Sequence, residues 1–269
     1  MRIVTEFVEV PIPGVAAPMR TFQARPSSKG RFPAVAFYSD IFQLTGPMLR
    51  ISERLAGYGF VVLAPEIYHR VEPPGLAIPF DDPGRTRGLA DAEKTPVAHF
   101  DADIRALLDF ATTHPSVTPE HLAAAGFCLG GHLAFRAASQ PDVRATTCFY
   151  GTGIHNGKLG LDADAGSLAQ AGSIQGDLLM IFGLEDLHVP PEGRTTIANA
   201  LEASKVRHTI QLLPAEHAFM RDEGPRYDPE ATDTAFAAMI AQFRGVFGSD
   251  VSDRSSLGDE GSNVETPPA

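Results

Sequence analysis

The sequence has no tryptophan and only two cysteines, Cys128 and Cys148. Two cysteines do not make the disulfide framework of a small secreted protein. The first residues, Met1 to Glu6, lack the basic start and apolar block of a signal peptide. No uninterrupted apolar stretch reaches the roughly 18 residues that a membrane span requires. We therefore expect a cytoplasmic protein that does not cross or bind a membrane.

Basic residues are also scarce, with 22 Lys and Arg against 33 Asp and Glu and a formal net charge of −11. Binding to nucleic acid needs a basic face, so a nucleic-acid partner is not expected. Part of the acidity lies in residues 249–269, which are rich in serine, glycine, proline and acids. We predict a single domain over residues 1–248, followed by a disordered acidic tail over 249–269.

Short apolar runs alternate with amphipathic stretches along the chain, which is typical of repeated βα units. We predict an α/β fold with a mostly parallel central sheet and helices on both faces. The predicted strands are Ile3 to Val10, Ala34 to Tyr38, Phe60 to Ala64, Leu122 to Phe127, Ala145 to Tyr150, Leu178 to Phe182 and Thr209 to Leu213. The predicted helices are Pro47 to Ala56, Val97 to Thr113, His132 to Ser139, Glu192 to Ala203 and Pro229 to Val246.

Two segments interrupt this alternation. Glu72 to Pro96 contains five prolines and is long for a connection, so it is either a lid or binding loop or an irregular surface excursion. Gly151 to Gly176 is glycine-rich and polar, and we expect it to run over the surface. Its Gly151-Thr152-Gly153 fragment lacks the third glycine of a dinucleotide fingerprint, so no nucleotide cofactor is expected.

The most informative motif is Gly126-Phe127-Cys128-Leu129-Gly130-Gly131, between a predicted strand and a predicted helix. Glycine two residues to either side of a nucleophile is the pattern of a nucleophile elbow, here with cysteine in place of serine. The following helix would direct its unpaired N–H groups at the sulfur and favour the thiolate. The alternative is that Cys128 is a small buried hydrophobic residue. Cys148 lies within a buried strand pattern, and we expect it to be inert.

A cysteine that accepts an acyl group needs a base, and the base needs an orienting carboxylate. In elbow-containing folds the order along the chain is nucleophile, acid, histidine. Of nine histidines, His217 is best placed, because its loop leaves the carboxyl end of the predicted strand that ends at Leu213. His132, in the helix after the elbow, is expected to reach only the rim of the pocket.

Asp186 is the preferred acid over its neighbour Glu185, since Gly-x-x-Asp sets the shorter carboxylate after a tight turn. The alternative role for Asp186 is to cap the helix that begins near Pro190. The oxyanion hole should use the backbone N–H groups of Leu129 and Ile41. Asp40 would then lie beside the sulfur.

Together these residues resemble the dienelactone hydrolase (carboxymethylenebutenolidase) family of α/β-hydrolases, over most of the chain up to about residue 247. The resemblance implies a Cys128, Asp186 and His217 triad that opens a cyclic enol ester bearing a free carboxylate, without a cofactor or metal. Besides the elbow and the Asp186 and His217 loops, it is carried by Ser39-Asp40-Ile41-Phe42, Gly59-Phe60-Val61-Val62-Leu63-Ala64-Pro65-Glu66-Ile67-Tyr68 and Phe149-Tyr150-Gly151-Thr152-Gly153.

The family also grips the substrate carboxylate with two arginines. The resemblance assigns one role to Arg221, four residues after the histidine, and the other to the Arg85-Thr86-Arg87 fragment, where Arg87 is the preferred candidate over Arg85. Two cations converging on one anion suit an otherwise acidic protein. The alternative for either arginine is a surface ion pair of little energetic value.

The chain departs from the family pattern at two places. Asp40 stands where the family has a glutamate that binds the resting cysteine and swings away when substrate binds. Gly88, Leu89, Ala90 and Asp91 stand where aromatic residues are expected. The pocket is therefore expected to accept something other than dienelactone.

These observations predict a hydrolase of small anionic esters or lactones, acting as a monomer or small homo-oligomer. Two alternatives stay open at the level of sequence. One is a broader carboxylesterase or thioesterase. The other is a catalytically silent homologue that binds a carboxylate ligand through Arg87 and Arg221.

Overall fold

Eight strands form one sheet in the computed structural model, which describes residues 1–248. The predicted acidic tail, 249–269, lies outside the described residues. The strands are β1 (Ile3–Val10), β2 (Met19–Pro26), β3 (Phe32–Tyr38), β4 (Val61–Pro65), β5 (Val117–Phe127), β6 (Val143–Phe149), β7 (Asp177–Gly183) and β8 (His208–Leu213). The α-helices are α1 (Gly46–Ala56), α2 (Asp82–Lys94), α3 (Val97–Thr113), α4 (Leu129–Ala138), α5 (Pro191–Ala203) and α6 (Pro229–Phe247).

The strand order is β1-β2-β4-β3-β5-β6-β7-β8. The six strands from β4 to β8 pair in parallel, and β1 and β2 complete one edge with antiparallel pairing. Buried apolar side chains cover both faces of the sheet, which explains why the central strands are continuous apolar runs. The predicted α/β fold with a mostly parallel sheet and helices on both faces is confirmed.

Two elements do not correspond to any predicted strand or helix. Strand β2 buries polar side chains, Thr21 and Gln23, so it lacks the apolar alternation that identifies a strand. Helix α2 occupies the second half of the Glu72 to Pro96 segment, for which the sequence predicts a lid, a binding loop or an irregular surface excursion but no helix. Asp81 caps this helix by accepting from the Gly84 N–H, and its proline lies in the first turn, where proline is tolerated.

The carboxyl ends of the parallel strands bring the candidate residues to one edge of the sheet. Cys128 follows β5, Asp186 follows β7 and His217 follows β8, while Asp40 and Ile41 follow β3. This edge is where open α/β sheets place their ligands. Within residues 1–248, no helix combines the length and the apolar character required to span a membrane.

Candidate active site

Cys128 occupies a strained turn between β5 and α4. Its backbone has φ 54° and ψ −117°, in the left-handed region that a residue with a side chain rarely adopts. A Cβ added to Gly126 would lie 2.1 Å from the Gly130 carbonyl oxygen, and one added to Gly130 would lie 2.3 Å from the carbonyl oxygens of Tyr38 and Ser39. Both glycines are therefore required by close backbone packing, and together they present the Cys128 side chain at the apex of the turn.

His217 and Asp186 form a buried hydrogen-bonded pair. His217 Nδ1 lies 2.8 Å from Asp186 Oδ2, and the second carboxylate oxygen accepts the His188 backbone N–H at 2.8 Å. Pro190, not Asp186, occupies the N-cap position of α5, so the capping alternative for Asp186 does not hold. Glu185 is exposed to solvent, whereas Asp186 is 3 % exposed.

The pKa of His217 reflects its partners. Burial by itself lowers this pKa, but negative charge on Cys128 and the hydrogen bond to Asp186 outweigh burial and raise it to about 9. Burial likewise opposes ionisation of Asp186, yet the hydrogen bond from His217 leaves the Asp186 pKa below its usual value. The contact between the two side chains therefore favours the protonated His217 ring and the ionised Asp186 carboxylate.

The two residues predicted to supply the oxyanion hole are both at the cavity. Leu129 and Ile41 line the same cavity as Cys128. In the described part of the chain, neither backbone N–H donates to a protein acceptor. Helix α2 packs closely on this loop, since a Cβ at Gly88 would lie 2.3 Å from the Ile41 carbonyl oxygen.

Asp40 is engaged by Arg221 rather than by the sulfur. Its carboxylate accepts from Arg221 Nη2 and from the Phe42 backbone N–H. The Arg221 guanidinium also packs over the rings of Phe42, at 4.5 Å, and Phe80, at 4.1 Å. Arg221 therefore reaches the cavity, but with its charge already paired.

The two arginines of α2 point in different directions. Arg87 donates from Nε and Nη2 to Glu72, each at 2.6 Å, and does not line the cavity. Arg85 lines the cavity instead. Residues two apart on a helix are rotated by about 200° around its axis, so only one of the pair can face the site. The preference for Arg87 as a substrate ligand is thus not supported by its position.

The cavity has a volume of about 700 Å³. Among the other residues that line it are Thr152, His188 and Arg226, none of which the sequence singled out for the site. The His188 ring lies 4.3 Å from the His217 ring. No group of three or more His, Cys, Asp or Glu among residues 1–248 is arranged to hold a metal ion.

The sequence predicts His132 at the rim of the pocket, but its side chain is completely buried behind the elbow. Its Nδ1 lies 2.9 Å from the Thr152 carbonyl oxygen and its Nε2 lies 2.7 Å from Ser167 Oγ. Burial lowers the pKa of His132 to about 3, so the ring is neutral. The expectation was wrong because α4 turns this position toward the 151–176 segment, which covers it.

A mostly parallel sheet flanked by helices, with Cys128 at an elbow after β5, Asp186 after β7 and His217 after β8, is the arrangement of the α/β-hydrolases. Solved structures agree. A crystal structure described as "Putative Dienelactone Hydrolase" from Klebsiella pneumoniae superposes with a TM-score of 0.80 at 27% identity, covering 90% of this chain and 99% of that one. An esterase from Pyrobaculum calidifontis shares the fold at a TM-score of 0.67 and 19% identity, covering 90% and 85%.

Comparisons with known sequences identify the family within this class. The model of the dienelactone hydrolase family matches residues 19–247. A Saccharomyces cerevisiae protein named "Putative carboxymethylenebutenolidase" is 38% identical over 80% of this chain and 81% of its own. A carboxymethylenebutenolidase from Pseudomonas sp. strain P51 is 30% identical over 81% of this chain and 86% of its own. The chain belongs to the dienelactone hydrolase family, and it is a hydrolase that acts on ester or lactone bonds.

Proposed function

We propose that the protein hydrolyses small anionic esters or lactones through an acyl-cysteine intermediate, with Cys128 as nucleophile, His217 as acid and base, and Asp186 as the group that orients His217. The observation that carries this proposal is the elbow of Cys128 opening into the same cavity as the buried His217–Asp186 pair. These residues follow strands of one sheet, and we propose that residues 1–248 are a single catalytic domain.

In the first half of the reaction the Cys128 thiolate attacks the carbonyl carbon. The carbonyl oxygen becomes an oxyanion that accepts hydrogen bonds from the N–H groups of Leu129 and Ile41. Collapse of this intermediate breaks the bond to the leaving oxygen, and the His217 imidazolium protonates that oxygen. For a lactone, the leaving oxygen remains tethered to the acyl group.

In the second half, neutral His217 removes a proton from water, and the resulting hydroxide attacks the thioester carbonyl. The same two N–H groups stabilise the second oxyanion. Its collapse breaks the carbon–sulfur bond, releases the carboxylic acid and leaves Cys128 as thiolate beside protonated His217. Asp186 keeps its hydrogen bond to His217 Nδ1 throughout, which fixes the ring orientation.

Cationic side chains in the cavity are the reason for proposing an anionic substrate. Arg85 and Arg226 line the cavity, and neither forms an ion pair within residues 1–248. Both contribute positive charge at His188, which lowers the pKa of that residue in addition to the larger effects of burial and His217. A substrate carboxylate would also compete with Asp40 for Arg221. We propose Arg85 and Arg221, with Arg226 nearby, as the groups that attract the substrate anion.

The size of the cavity favours a second candidate, a broader carboxylesterase or thioesterase. About 700 Å³ is far more than a small lactone fills and lies within the range of about 300–1,000 Å³ typical of pockets for larger ligands. Leu89 of α2 lines the cavity in the part of the chain where the family pattern has aromatic residues. Profiling a series of aryl esters and thioesters of increasing acyl length distinguishes this candidate from the first.

The test of the proposal is the Cys128→Ala variant assayed with an aryl acetate and with dienelactone. We expect kcat/KM to fall by about 10³-fold or more, because the attacking atom is removed while the fold is retained. Cys148→Ala is the matched control and should keep its activity. Unchanged turnover in the Cys128 variant would refute the proposal, and trapping of an acyl adduct on the Cys128 peptide by mass spectrometry would support it.

Specificity is tested by comparing Arg85→Ala with Arg87→Ala on lactones with and without a carboxylate. We expect Arg85→Ala to raise KM about tenfold for the carboxylate-bearing lactone only, since a charge-assisted contact is lost. Arg87→Ala should have little effect, because Arg87 is paired with Glu72 away from the cavity. The reverse ranking would restore Arg87 as the substrate ligand.

A further inference from the structure

The Gly151-Thr152-Gly153 fragment that follows β6 lies directly against the nucleophile. The Thr152 backbone N–H donates to the Cys128 carbonyl oxygen at 3.1 Å, and Thr152 Oγ1 lies 3.9 Å from Cys128 Sγ. Thr152 also lines the cavity beside Cys128. The backbone hydrogen bond fixes the distance between the two residues, so the hydroxyl stays within reach of the sulfur.

The Thr152 backbone is itself held by a hydrogen-bond chain of defined direction. A carbonyl oxygen only accepts, so the neutral His132 ring must donate from Nδ1 to the Thr152 carbonyl. His132 Nε2 then accepts, and its partner is the Ser167 hydroxyl at 2.7 Å. Ser167 Oγ in turn accepts from Arg136 Nη1 at 2.8 Å. The chain therefore runs from Arg136 through Ser167 and His132 to Thr152.

This chain is buried and fully paired. Ser167 is 2 % exposed and Arg136 is 5 % exposed, and the Arg136 guanidinium is neutralised by Asp101 through two hydrogen bonds of 2.6 Å. It joins α3, α4 and the segment after β6. A buried polar network whose members are all satisfied makes the local structure rigid. Thr152 is thus positioned on a rigid support behind the elbow.

The sulfur has few other polar partners. Asp40, which stands where the family glutamate binds the resting cysteine, has its carboxylate engaged by Arg221 and the Phe42 N–H. Within the described residues, Thr152 Oγ1 is the side-chain atom that lies within hydrogen-bond distance of Cys128 Sγ, and negative charge on Cys128 also raises the pKa values of His217, Tyr68 and Tyr150. The hydroxyl of Thr152 has no other hydrogen-bond partner recorded in that part of the chain.

We propose that Thr152 is a further residue of the nucleophile site, whose hydroxyl donates to the Cys128 thiolate and holds the sulfur beside His217. The 3.9 Å separation is at the long end for a hydrogen bond to sulfur, so its effect is modest in the resting enzyme and grows when the sulfur carries full charge. The proposal deepens the proposed function and rests on it, because it takes Cys128 as the nucleophile.

The test measures the rate of alkylation of Cys128 by iodoacetamide against pH in the free enzyme, quantified on the Cys128 peptide. Thr152→Val removes the hydroxyl and keeps the shape, so the midpoint of the profile should rise by about half a pH unit, since a donor to the thiolate is lost. Thr152→Ser keeps the hydroxyl and should follow the wild type. The proposal fails if Thr152→Val coincides with the wild type, or if Thr152→Ser coincides with Thr152→Val.

Thermal melting would show whether Thr152→Val fails to fold, and two further variants test the proposal in that case. Thr152→Ala removes the hydroxyl without adding bulk and should shift the midpoint in the same direction. Ser167→Ala interrupts the supporting chain away from the cavity and should produce a smaller shift of the same sign. With an aryl ester, Thr152→Val should lower kcat and leave KM near the wild-type value, because the lost contact is to sulfur and not to substrate.

The outcomes also separate this inference from the proposed function. If wild-type Cys128 is not alkylated near neutral pH, the cysteine is not activated and the proposed function fails. If the wild type reacts normally and the Thr152 variants react in the same way, only the assignment of Thr152 fails.

Discussion

The two cysteines lie close together in the fold but in opposite chemical environments. Cys148 is paired with Gly126 across β5 and β6, so it is beside the strand that leads to Cys128 two residues further on. Cys148 is fully buried, and burial raises the pKa of its thiol far above the usual value. Cys128 is partly exposed at the end of its strand, ahead of helix α4 and beside His217.

The difference shows that position along the strand, and not the residue type, sets the environment of each cysteine. Inside a strand, backbone partners on both sides and apolar packing leave the thiol without water or a base. At the end of the strand the chain turns through the strained elbow, and loops from β3, β7 and β8 supply charges and N–H groups. Each of these contributions can be removed by a single substitution.

The largest effect is expected for His217→Gln. Glutamine is close in size to histidine but cannot carry a proton, so Cys128 should become as unreactive toward iodoacetamide near neutral pH as Cys148 is. We expect kcat/KM to fall by about 10³- to 10⁴-fold, which is the size of loss found when one member of a catalytic triad is removed. Ester turnover and peptide-resolved alkylation measure the two effects.

His188→Gln is the matched control, because the His188 ring lies 4.3 Å from that of His217 but does not contact Asp186 through its side chain. Its effect should stay below about tenfold. If the two variants lose activity equally, the base has been assigned to the wrong histidine.

The second prediction concerns the elbow itself. In Gly130→Ala the new Cβ would meet the Tyr38 and Ser39 carbonyl oxygens at 2.3 Å, so α4 must move away from β3 and displace Cys128. We expect activity to fall by about 10²-fold, and the free energy of unfolding to decrease by about 2 kcal/mol. Urea unfolding measures the change in the free energy of unfolding, and ester turnover measures the loss of activity.

Gly245→Ala provides the comparison within a helix. Nothing lies within 4 Å of the added Cβ in α6, and alanine is a better helix former than glycine, so this variant should be neutral or up to about 1 kcal/mol more stable. A Gly130→Ala enzyme that is as active and stable as Gly245→Ala would show that the elbow tolerates a side chain there.

The sequence was sufficient to predict the parallel sheet and the residues Cys128, Asp186 and His217 that this sheet brings together. Each follows an apolar run, so its position at a strand end can be predicted from local pattern and chain order. The direction of Arg87 could not be predicted, because α2 has too few apolar residues to show its helical period. The contact of Thr152 with Cys128 depends on how two strand ends meet, which no local pattern encodes.

The third prediction is a dependence on pH. The pKa of His217 is raised to about 9, so the imidazolium that protonates the leaving oxygen persists as pH rises and is lost above that value. Hydrolysis of an alkyl ester, whose leaving oxygen needs this proton, should decline above about pH 9 by up to about tenfold per unit. An aryl ester with a good leaving group should decline less. Equal declines for both esters would contradict the role of His217 as the acid.

The smallest effect is expected for Cys148→Ala. Replacing a buried thiol with a methyl group leaves a small cavity and should destabilise the protein by about 1 kcal/mol, while turnover stays within about twofold of the wild type. The native wild-type protein should take up iodoacetamide at Cys128 alone, and Cys148 should react only in denaturant. If Cys148→Ala loses activity while the alkylation of Cys128 is unchanged, the neighbouring strand contributes to catalysis through more than packing. If Cys148 reacts in the native protein, strands β5 and β6 open in solution.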